Sequence, residues 1–189
     1  MPHHVVDIWW SDLRVMDRGL LPLLDPVEAA RAAGLEGAAD LGRFVVGAVL
    51  LRVAVGRTTG RDPWSVAVDR TCGDCGRPHG RPVVEGVHAS VAHAGPLVLV
   101  ATAACPIGVD VESARRGPDV AAWVRQEAAF KAHGSRDVAG LHVRPLVTPL
   151  PGHEAALALT RPGEVAVHDP AESSTALAAA RAQASRSAR

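Results

Sequence analysis

The chain has 189 residues, 48% of them hydrophobic, which is enough apolar material for one domain or for two small fused halves. Its 20 basic residues balance 20 acidic ones, so overall charge excludes a general electrostatic role on nucleic acid or on a membrane surface; any basic site must be local. Three cysteines, an odd number, argue against a disulfide framework.

The opening MPHHVVDIWW lacks a charged segment followed by a long apolar run, so no signal peptide is expected, and His3 and His4 read as surface residues. Residues 5–10 read as a first strand and residues 26–36 as a helix. A longer helix is expected over 40–55, with Gly56 placed to stop it. Phe44, Val45, Val49, Leu50 and Val53 are spaced along it as a core-facing stripe. Arg43 and Arg52 interrupt this apolar run, which is too short to span a bilayer. Residues 57–62 read as a polar loop, and residues 70–82, RTCGDCGRPHGRP, as a turn-rich segment.

Three short strands follow at 87–92, 97–103 and 107–112, separated by Ala94-Gly95-Pro96 and Cys105-Pro106; their spacing predicts an antiparallel meander. Asp119 is a fitting N-cap for a helix that runs to about His133 and stops at Gly134. Residues 141–147, 154–160 and 165–168 read as further strands, the last two joined by a hairpin turn at Arg161-Pro162-Gly163-Glu164. From Pro170 the chain turns to Ala, Ser and Arg, a frayed helix or a disordered tail. This order predicts an α+β fold with antiparallel sheet. Trp9, Trp10 and Trp123 read as packing residues rather than ligand-stacking ones.

The sharpest local chemistry is Gly108-Val109-Asp110-Val111-Glu112. In a strand, alternate residues share a face, so Ile107, Val109 and Val111 point into a core, and Asp110 and Glu112 point the other way beside a bare Gly108. Two carboxylates on one face suit Mg²⁺, which takes one or two of them and leaves positions for water and phosphate oxygens. A solvated acidic face fits the same spacing. On the next helix Trp123, Glu127 and Lys131 share a face; Glu127 and Lys131 form either an ordinary helix pair, worth about 0.3–0.5 kcal/mol, or a third metal ligand and a phosphate contact.

Five ordered blocks resemble the 4'-phosphopantetheinyl transferases of the type that activates surfactin synthetase. They are RFVVGAVLLR at 43–52, Gly80-Arg81-Pro82, Ser90-Val91-Ala92-His93-Ala94, IGVDVE at 107–112 and WVRQEAAFKAHG at 123–134. The likeness spans residues 5–168. It implies a pseudo-dimer of two similar α/β halves with the active site between them: residues 1–103 form the N-terminal half and 104–169 the C-terminal half, with 170–189 as a tail. It implies Mg²⁺ held by Asp110, Glu112 and Glu127, with Glu127 also the base for the carrier serine and Lys131 a contact to phosphate. Arg43, Arg81, Pro82 and His93 would bind coenzyme A. The partner would be an apo acyl or peptidyl carrier protein, the protein a cytoplasmic monomer, and the product besides the modified carrier adenosine 3',5'-bisphosphate. No nucleic acid or membrane enters.

The chain departs from the family pattern at Gln126, where relatives carry lysine, at Ala92 and Ala94 in place of serines, and in a short segment between Glu112 and Trp123. A degenerate relative that binds carriers without turnover therefore stays open. So does a small zinc module: Cys72 and Cys75 have C-x2-C spacing, with His79 and His88 following at a spacing that matches no standard second pair. A redox pair at Cys72 and Cys75 lacks a thioredoxin-like surround.

Overall fold

The computed structural model describes residues 5–187; His3 and His4 lie outside them. The fold is α+β. Among the described residues, seven strands form two sheets. In the first, β2 (His88–Ala94), β3 (Leu97–Ala103), β1 (Val5–Asp12) and β7 (Glu164–His168) lie side by side in that order. In the second the order is β4 (Ile107–Ser113), β6 (His153–Leu159), β5 (His142–Pro145), all antiparallel. Among the described residues no helix is long and apolar enough to cross a membrane.

Strand alternation builds three apolar layers. Val6, Ile8 and Trp10 of β1, Leu97 and Leu99 of β3, Val109 and Val111 of β4 and Leu157 of β6 fill the space between the sheets. On the outer face of the first sheet, Trp9, Val98 and Val100 pack on Val45, Val46, Val49 and Leu50 of helix α2 (Ala38–Thr59). On the outer face of the second, Ala156 and Ala158 meet Val124, Ala128 and Ala132 of helix α3 (Val120–His133). The molecule is thus layered helix, sheet, sheet, helix. Trp9 and Trp10 are each 2% exposed and are packing residues, as read.

Three expectations fail for physical reasons. The meander stops after two strands: β3 is already paired on both edges, by β2 and β1, so β4 has no free edge there and starts the second sheet. The turn at 161–164 does not close a hairpin, because β6 has β4 and β5 on its two edges; the chain crosses instead and lays β7 parallel to β1. Gly56 lies inside α2, which ends at Gly60 with φ +72. What Gly56 permits is a close approach, since a Cβ there would sit 2.8 Å from the Arg61 carbonyl oxygen and 2.9 Å from the Pro63 ring. Of the two readings open for the tail, the helix holds: α4 (Pro170–Ser187) buries Leu177 and Ala180. β7 thus lies in the first sheet, and Leu177 of α4 packs in the core on that sheet's outer face.

A buried polar cluster fastens that crossing strand. His168 of β7 meets the Asp7 carboxylate at 3.0 Å and stacks on Trp9 with ring centroids 3.8 Å apart. Helix α1 (Pro26–Ala33), shorter than expected, is capped by the Asp25 carboxylate, which accepts from Glu28 N–H at 2.8 Å. Asp119 sits at the start of α3, but its side chain makes no capping hydrogen bond.

Candidate functional site

A pocket of about 320 Å³ opens where α2, β2, the loop before β2, β4 and α3 meet. Six residues singled out in the sequence line it: Arg43, Arg81, Pro82, His93, Asp110 and Lys131. Two cations that local spacing did not flag, Arg31 and Arg70, line it as well. Five basic side chains against one carboxylate make it a positive cavity on a chain of zero net charge. Such convergence suits a phosphorylated ligand, because charge-assisted hydrogen bonds to anionic oxygens are about twice as strong as neutral ones.

Each cation is held in place. Arg43 leaves α2 to donate to the Gly95 carbonyl at 2.7 Å and to Asp40 at 2.5 Å. Arg81 crosses from the loop to donate to the Lys131 carbonyl at 2.7 Å. Arg70 is buried and donates to Glu28 at 3.3 Å, and Glu28 also accepts from Arg52 at 2.6 Å. Arg52, part of the same sequence block as Arg43, is 3% exposed and also pairs with Asp25 at 2.7 Å; it braces the wall rather than facing the ligand. Arg31 lies over the Phe44 ring, 4.8 Å from its centre.

Asp110 is corrected from a solvent-facing residue to a buried one, 9% exposed. It accepts from Lys131 Nζ at 2.7 Å, and the same ammonium donates to the Val109 carbonyl at 3.0 Å. The bare Gly108 is explained by packing rather than by room for a cation: a Cβ there would collide with the Ala128 carbonyl of α3 and meet Lys131 Cβ at 2.9 Å. That contact lets the helix lie close enough for Lys131 to reach the strand. Ser90 of β2 ties the two sheets across the pocket floor, accepting from Val109 N–H at 3.1 Å.

Glu112 and Glu127 do not line the pocket. Glu112 pairs with Arg116 at 2.7 Å, and Glu127 with Arg136 at 2.7 Å, not with Lys131 one turn on. Arg116 stacks over Trp123 at 4.1 Å, and Arg136 over the same ring at 5.5 Å. The three acids are near enough to feel one another: burial raises the Asp110 pKa, Lys131 opposes this, and the Glu127 and Glu112 charges push it further up. Their ligand atoms, however, do not gather. Among the described residues, only Cys72, Cys75 and His79 bring three such atoms within 4.8 Å of one another.

No protein-family model and no curated protein matches this chain.

Burial lowers the Arg70 pKa, and His93 and the loop thiol Cys75 have shifted titrations as well. His93 sits exposed at the pocket mouth but is ringed by its walls, and desolvation, then the charges of Arg43 and Lys131, lower its pKa. It is therefore neutral near pH 7 until an anion approaches. On the loop, the Arg77 side chain and backbone, then the His79 ring, lower the Cys75 thiol to about 7. The positive pocket was legible at Arg43, Arg81, His93 and Lys131; Arg31 and Arg70 enter it through long-range pairing that no local pattern announces.

Proposed function

We propose that the chain transfers the 4'-phosphopantetheine arm of coenzyme A to a serine of an apo acyl or peptidyl carrier protein, with Mg²⁺, as a cytoplasmic monomer. The observation that carries this reading is the pocket in which Arg31, Arg43, Arg70, Arg81 and Lys131 converge beside the buried Asp110. Its two halves are α2 on β1–β3 and α3 on β4–β6, each a helix on antiparallel strands, and both halves line the pocket. This agrees with a pseudo-dimer whose site lies between its halves.

Asp110, Glu112 and Glu127 offer hard carboxylate oxygens, the donors that Mg²⁺ takes, once Lys131, Arg116 and Arg136 release them. The bound cation would neutralise charge on the pyrophosphate oxygens. Lys131 stabilises the same charge from the chain's side. Glu127 takes the serine proton, directly or through water, as the serine oxygen attacks the phosphopantetheine phosphorus. One phosphorus–oxygen bond forms to serine, the anhydride bond breaks, and adenosine 3',5'-bisphosphate leaves with the bonding electrons. Arg81 and His93 hold the 3'-phosphate, and Arg43 adds charge to the nucleotide site.

Incubation with coenzyme A, Mg²⁺ and a panel of apo carriers, read by intact mass, tests the reading. A carrier gains the mass of one phosphopantetheine. A second reading, a relative that binds carriers without turnover, is favoured by the ion pairs that occupy all three acids. No mass gain on any carrier of the panel would favour it.

The nucleotide end has its own expected result. Arg81→Ala and His93→Ala each weaken coenzyme A by roughly ten- to a hundred-fold, with little effect on dephospho-coenzyme A, as measured by calorimetry. A phosphate beside His93 raises its lowered pKa. Binding then takes up a proton, so coenzyme A binds tighter as pH falls through the His93 transition, and His93→Ala loses that dependence. Equal losses for both ligands would remove these residues from the 3'-phosphate.

A further inference from the structure

Among the described residues, the loop between α2 and β2 carries the one three-ligand group that does converge. Cys75 Sγ lies 3.0 Å from His79 Nε2, and Cys72 Sγ completes a triangle with no side above 4.8 Å. The backbone shapes this turn without help from a core. Gly76 N–H donates to the Cys72 carbonyl at 2.9 Å, Cys72 N–H to the Arg77 carbonyl at 2.8 Å, and His79 N–H to the same carbonyl at 2.9 Å. Gly76, at φ +69, reverses the chain immediately after the second cysteine. Cys75 and His79 are exposed, Cys72 is half-buried, and the two cysteines form no disulfide.

Geometry and ligand type select a metal. Around a tetrahedral Zn²⁺, bonds of about 2.3 Å to sulfur and 2.0–2.1 Å to nitrogen separate two sulfurs by about 3.8 Å and sulfur from nitrogen by about 3.5 Å. The three atoms already gather on that scale, and small side-chain rotations suffice to reach it. Two thiolates and an imidazole suit a borderline-soft ion, whereas the all-oxygen set at Asp110, Glu112 and Glu127 suits a hard one. His88 is not part of the group, so the three-residue set leaves one position open.

We infer that Cys72, Cys75 and His79 bind Zn²⁺, with water in the fourth position, and that the ion clips the loop that carries Arg81. His79 lines the anion pocket together with Gly80 and Arg81, which follow it directly. Gly80 N–H donates to the Arg70 carbonyl at 2.7 Å, so the clipped turn also sets Arg70. Outside the turn itself, the segment is held by Arg70 on Glu28, Arg81 on the Lys131 carbonyl and Arg31 on the Pro78 carbonyl. A single antiparallel bridge, Asp69 to Val83, closes its base.

The metal reading stands apart from phosphopantetheine transfer and is tested without it. The full chain is purified under reducing conditions, its metal content is measured by mass spectrometry, and the zinc is exchanged for Co²⁺. About one zinc per chain is expected, and the cobalt form should show the visible bands of a tetrahedral site and thiolate-to-cobalt charge transfer. Cys75→Ser and His79→Ala lose these bands. Cys105→Ala, a change at the buried cysteine in the core between the sheets, keeps them. A reduced, folded parent chain without zinc and without a tetrahedral cobalt spectrum overturns the site. So does a Cys72–Cys75 disulfide that re-forms in the presence of excess zinc, or a cobalt spectrum that survives both ligand changes.

Discussion

Asp110→Asn should lower phosphopantetheine transfer by roughly a hundred- to a thousand-fold while the protein stays folded. The carboxylate lies in the pocket wall, 9% exposed, where its charge faces Lys131 at 2.7 Å. Burial raises its pKa, so the fold bears a cost for that charge that the Lys131 pair offsets only in part. Asparagine keeps an acceptor for Lys131 Nζ, and that ammonium retains the Val109 carbonyl at 3.0 Å. Unfolding in urea is therefore expected to change by no more than about 1 kcal/mol. Asp110→Ala is the poorer test: it leaves Lys131 half-buried beside a void and mixes a stability loss of about 1–3 kcal/mol into the rate. Initial rates by intact mass, with and without EDTA, decide the matter. Turnover equal to the parent's, or undiminished in excess chelator, removes Asp110 and the divalent cation from the mechanism together.

The layers were readable because apolar alternation is local. Val109 and Val111 point inward and Asp110 outward whatever sheet the strand joins. Which sheet it joins was not readable: that depends on β3 having both edges filled and on β7 returning from the far end of the chain to lie along β1. The acids show the same division. Their sharing of one side of β4 and α3 follows from strand and helix period, but their partners do not. Lys131 turned to Asp110 across the interface instead of to Glu127 four residues away, because Gly108 lets the helix lie against the strand. The loop cysteines were visible as a spacing, with His79 and His88 as a candidate second pair; the turn at Gly76 brings only His79 into the group.

Glu127→Gln should reduce turnover by roughly a hundred- to ten-thousand-fold, the range lost with a general base. In the resting structure Glu127 is not idle: it accepts from Arg136 Nε at 2.9 Å, and the Arg136 side chain is 58% exposed. A pair with one such exposed partner contributes no more than about 1 kcal/mol. Glutamine keeps an acceptor for Arg136, so thermal unfolding should barely move. What it loses is the charge and the ability to take a proton, the two properties the proposed mechanism needs. Arg136→Ala separates that role from a merely structural one. If Arg136 only shields the base until carrier and coenzyme A arrive, its removal leaves transfer intact or faster. If instead the Glu127–Arg136 pair is what matters, both variants fall together and by similar factors. A Glu127→Gln protein that transfers phosphopantetheine at close to the parent rate would leave the serine proton without an acceptor among the acids of this face, and the reaction would need another base.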